Sequence, residues 1–82
     1  MSWTSENYAQ VREYLPAADR EVFDRMATEG LRVREAAGGA PLPRLFRNWA
    51  LACQQARVSA PSCHTLRLDY ITAAIEARRG NN

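Results

Sequence analysis

LFRNWALACQQARVSAPSCHTLRLDYI, residues 45–71, is the stretch that decides how this chain folds. Its first part places apolar residues at steps of three and four, the period of an α-helix with one buried face. Leu42, Leu45, Phe46, Trp49, Cys53 and Ala56 share a stripe, so a helix is expected from about Pro43 to Ala56 with Phe46 and Trp49 in the core. At ~100° per residue, Leu51 points away from that stripe, among Arg44, Arg47, Gln54 and Gln55. After Pro61 the helical period resumes and runs to Arg79, where Gly80 ends it. This last segment has two apolar stripes. His64, Leu68, Ile71 and Ile75 form one; Leu66, Tyr70, Ala73 and Ala77 lie roughly opposite. A helix apolar on two sides is either central in its bundle or packs on its own fold with one side and on something else with the other.

Upstream, Thr4 can cap a first helix, with Trp3 and Tyr8 at the spacing of a hydrophobic staple. Tyr8, Val11 and Leu15 line its inner face. Pro16 ends this helix and opens the next, where its missing N–H is not needed. The second helix is expected from about Pro16 to Ala37, burying Val22, Phe23, Met26, Gly30, Val33 and Ala37. On its outer side Glu21, Arg25 and Glu29 stand four apart, as on a solvated face. Gly38 and Gly39 stop it, and GGAPLP forms a short hinge. The expected fold is all-α: one domain over 1–82, a small bundle of about four helices arranged as two helical hairpins joined by the Gly/Pro hinge.

With 82 residues the chain lies near the lower size at which one core holds a fold unaided, and its 46% apolar content is that of a globular domain. No apolar run reaches the ~20 residues of a membrane helix. MSWTSENYAQ has neither the basic start nor the apolar stretch of a secretory signal, so a cytoplasmic, reducing setting is expected. Every basic side chain except His64 is arginine, which excludes Schiff-base and lysine-nucleophile chemistry. Charge is uneven: residues 1–39 carry five arginines against seven acids, and residues 40–82 carry six against Asp69 and Glu76. Such an asymmetry marks the second half as the one to meet anions.

Catalytic and metal chemistry find no foothold in this pattern. Cys53 and Cys63 are ten apart with His64 beside the second, which is not a zinc spacing, so structural thiols are expected. Ser62 or Cys63 would need a base oriented by a third group, and His64, the sole histidine, is a sequence neighbour in poor geometry for attack. The GGA segment lies between helices rather than after a strand, unlike a phosphate-binding loop. The chain is expected to be no enzyme and to hold no cofactor or metal.

The segment LACQQARVSAPSCHTL resembles the bihelical DNA-binding unit of helix-turn-helix repressors, over about twenty residues. Ala52, Cys53 and Ala56 fall where small residues close the first helix of that unit. Val58 and Ser59 fall at the turn and second-helix start, and Cys63 and Leu66 at buried positions. Arg57 departs from it, standing where glycine is usual because the turn takes positive φ. The resemblance implies DNA contacts from Ser59, His64, Thr65 and Arg67. Against it, Leu68, Ile71 and Ile75 would project on the same side, and apolar groups facing phosphate are unfavourable. The leading expectation is therefore a non-enzymatic module that docks on another protein, as adaptor, regulator or inhibitor, or that forms a homodimer. Its contact residues would be Arg44, Arg47, Leu51, Leu68, Ile71 and Ile75, and a DNA-binding regulator using residues 51–67 is the alternative.

Overall fold

The structure, a computed structural model, describes residues 5–59 and 61–80. Trp3 and Thr4, the expected staple and cap, lie outside the described residues. Five helices are present among the described residues: α1 (Ser5–Arg12), α2 (Ala17–Glu29), α3 (Val33–Ala37), α4 (Leu42–Ala56) and α5 (Thr65–Gly80). Among the described residues there is no strand, so the chain is a small all-helical bundle. Its count is five because the expected second helix is broken in two.

The break is at Gly30. This residue adopts φ +69, closes α2 with its N–H on the Met26 carbonyl, and sends the chain through Leu31 and Arg32 into α3. Glycine reaches that conformation without the steric penalty of a side chain. The apolar spacing carried through Gly30 without a change of period, which is why periodicity alone joined the two pieces. Gly38, at φ +57, then closes α3, and α4 begins at Leu42 with Pro43 in its first turn.

Nor are the helices paired as two hairpins. The main contacts join α2 with α5 and with α3, and α1 with α4, so neighbours in sequence are interleaved in space. The centre holds Val11 and Leu15, Phe23 and Met26 of α2, Leu45, Trp49 and Cys53 of α4, and Leu66 of α5. Phe23 packs on Trp49 with ring centroids 5.0 Å apart. Full burial of side chains of this size is worth roughly 1.5–3 kcal/mol each. Phe46, expected in this core, is instead 42% exposed. It lies about 100° around the helix from Leu45, at the edge of the stripe rather than on its midline.

Polar groups fix how the helices sit. Arg12 grips Asp24 through Nε to Oδ1 at 3.1 Å and Nη2 to Oδ2 at 2.7 Å, and the Tyr8 hydroxyl donates to the same Oδ1 at 2.6 Å. These bonds tie α1 to α2. They hold the Asp24 carboxyl below its usual range, the Arg12 bond being the largest cause. The buried Asp19 accepts from Arg44 Nη2 at 3.1 Å and from Asn48 Nδ2, joining α2 to α4. Trp49 Nε1 donates to the Pro61 carbonyl at 2.7 Å, anchoring the connection that leads to α5.

Candidate protein-interaction surface

α5 is anchored to the rest of the molecule through its first half. Leu66 is buried, and Arg67 donates its Nε to the Gly30 carbonyl at 2.9 Å. The Tyr70 ring lies so close to Gly30 that a Cβ built there would meet it at 2.6 Å. Gly30 therefore does two things: it ends α2, and it forms the flat seat on which α5 rests. Beyond Ile71 every described side chain of α5 is exposed on all sides, including Ala73 and Ala77 of the inner stripe. Ala73, Ala74 and Ala77 favour the helical state, and Arg78 and Arg79 lie at the negative end of the helix dipole.

The outer stripe is the larger apolar surface. Leu68 is 56% and Ile75 49% exposed, with Ile71 half-buried between them. Their steps of three and four set them in one row along a single side of the helix. Leu51, 50% exposed, stands with the exposed Arg47 on the outer side of α4. These two belong to a different element, and α4 and α5 share little contact, so the six expected partner residues do not form one patch. Arg44 is already engaged, its guanidinium being paired with the buried Asp19. Arg47 has no ion pair among the described residues.

The helix-turn-helix geometry is met at one residue and missed at the next. Arg57 does take positive φ, +60, at the end of α4. Its N–H reaches the Gln54 carbonyl and the N–H of Val58 reaches that of Cys53, both at 3.1 Å, which is the Schellman closure with arginine in the glycine place. But no helix starts at Ser59. The next helix begins at Thr65, whereas the two helices of a DNA-reading unit are joined by a turn of about three or four residues. Of the residues implied for DNA, Ser59 and His64 are exposed, Thr65 is half-buried, and Arg67 is spent on the Gly30 carbonyl.

Cys53 and Cys63 are both buried free thiols, while His64 is exposed, so the three do not converge. Burial pushes the Cys53 thiol up to about 11 and also raises that of Cys63. No group of three or more metal-ligating side chains comes together among the described residues. No helix among them is long and apolar enough to cross a membrane. Comparison of the chain with family models, with curated proteins and with solved structures returned no match.

Proposed function

We propose that the protein is a docking module whose α5 is inserted into, or laid against, a protein partner. The outward row Leu68, Ile71 and Ile75 carries this reading, on a helix whose described side chains beyond Ile71 are all exposed. Anchors at such spacing are what a helix offers to a hydrophobic groove. Energetics favour the same reading. Isolated helices shorter than ~12–15 residues are marginal in water, and the projecting half of α5 has little tertiary contact to sustain it. A partner that covered the row would consolidate both.

Leu68→Glu and Ile75→Glu test this. Neither side chain is in the core, so helicity and melting are expected to stay within about 0.5 kcal/mol of wild type. Self-association in sedimentation, or a defined protein retained on purification from the native host, is expected to be lost in both. Unfolding by either substitution, or complexes indifferent to both, would refute the assignment. A salt titration with random duplex DNA separates the alternative, since phosphate binding weakens steeply as salt rises.

A further inference from the structure

Phe46 is an aromatic that its helix spacing assigns to the core and the fold leaves at the surface. It borders a groove of about 640 Å³ between α3, the start of α4 and the approach to α5. Val33, Leu42 and Phe46 give the groove its apolar part, and Arg32, Arg34 and His64 stand with them. Glu35, the one acid in the lining, accepts from the Arg32 backbone N–H at 2.9 Å and so serves the start of α3. Neither Arg32 nor Arg34 takes part in an ion pair among the described residues. The volume lies within the ~300–1,000 Å³ of known ligand pockets.

We propose that this groove binds an acidic amphipathic peptide segment of a partner protein: a bulky apolar side chain on Val33, Leu42 and Phe46, flanked by carboxylates that meet Arg32 and Arg34. Arginine pairs with carboxylates through two parallel hydrogen bonds, and exposed arginine beside an aromatic is where interface energy tends to gather. Charge argues against the most available apolar helix, α5 of a second copy. That helix carries Arg67, Arg78 and Arg79 against Asp69 and Glu76, so it would bring a net positive charge to a positive groove. An acidic segment satisfies both the apolar floor and its unpaired cations. This site is separate from the α5 row and stands or falls without it.

The test uses the full chain and a fluorescein-labelled peptide, Asp-Glu-Phe-Leu-Asp-Glu-Leu-Phe, followed by anisotropy. Two control peptides accompany it: oligoglutamate, and the same peptide with arginine for every acid. Binding is expected that weakens with salt, and each control is expected to bind at least about tenfold more weakly. Arg34→Glu and Phe46→Ala are expected to weaken binding by about tenfold or more. Arg79→Glu, the same charge change outside the groove, and Leu68→Glu are expected to leave it unchanged. Amide shifts on titration are expected at Val33, Leu42 and Phe46. Equal binding by oligoglutamate, an equal loss in Arg79→Glu, or shifts confined to α5 would overturn the proposal. So would self-association of the free protein that Arg34→Glu abolishes, which would make a second copy the occupant.

Discussion

At the end of α4, a single arginine holds a backbone shape that glycine holds more easily. For an L-residue the left-handed conformation costs roughly 1–2 kcal/mol, while glycine gives back part of that advantage through its greater freedom in the unfolded chain. Arg57→Gly is therefore expected to stabilise the protein by about 0.5–1 kcal/mol. Thermal unfolding checks it, with a rise of a few degrees expected for a domain of this size. A lower melting point would mean that the Arg57 side chain contributes more than its backbone loses. In the sequence only the helix-turn-helix resemblance put a positive φ here, and Arg57 counted against it because glycine is usual at that place; the structure keeps the turn with arginine. Where the next helix starts was not legible in the sequence. Pro61 marks a helix start by its chemistry, but the described helix begins at Thr65, after a turn through Cys63 and His64.

Helices α2, α3 and α5 meet at one glycine, and their arrangement follows from it. Gly30→Ala is expected to destabilise the fold by at least about 1–2 kcal/mol through the backbone alone. The new methyl also meets the Tyr70 ring, so part of the loss should come from α5 being pushed off its seat. A cycle of Gly30→Ala, Tyr70→Ala and the double variant isolates that part, since residues in contact give non-additive effects. Less destabilisation in the double variant than the sum of the singles is expected; strict additivity would show that the ring contact carries nothing. Sequence periodicity located α1, α4 and α5 and nearly all of the buried residues. It failed at Gly30 because the apolar spacing of Val22, Phe23, Met26 and Val33 runs smoothly across the break, and only the backbone records it. It failed at Phe46 because a stripe has an edge, and which edge is covered depends on neighbours. For the candidate surface, the outward position of Leu51 was readable from helical angles, whereas which of the two stripes of α5 would lie outside was not. That Arg44 would be held by Asp19, or that Arg32 and Arg34 would flank Phe46, depends on tertiary placement that no local pattern encodes.

Across the whole molecule, polar ties between helices make stability depend on pH. Asp24 has a lowered folded pKa, caused chiefly by its bond from Arg12. Its contribution is therefore fully present above the unfolded carboxylate range, near pH 4, and is lost as pH falls through the lowered folded value. Asp69, half-buried on α5, is shifted upward by desolvation and acts in the opposite sense, favouring the folded state once protonated. Asp24→Asn is expected to lower stability at neutral pH and to flatten the acid side of the profile. Asp69→Asn is expected to raise neutral stability slightly. Urea unfolding of both variants at neutral and acidic pH checks these signs, and an unchanged acid limb in Asp24→Asn would rule out Asp24 as its source.

The interleaved order of the helices has a corollary for synthesis. Because α1 waits for α4 and α2 waits for α5, an early fragment leaving the ribosome has only α3 and the ties between α1 and α2 for cover. Pairings this far apart along the chain also slow the search for the folded state. The arrival of the late helices α4 and α5, rather than of the first ones, should therefore set the moment at which this protein acquires its shape.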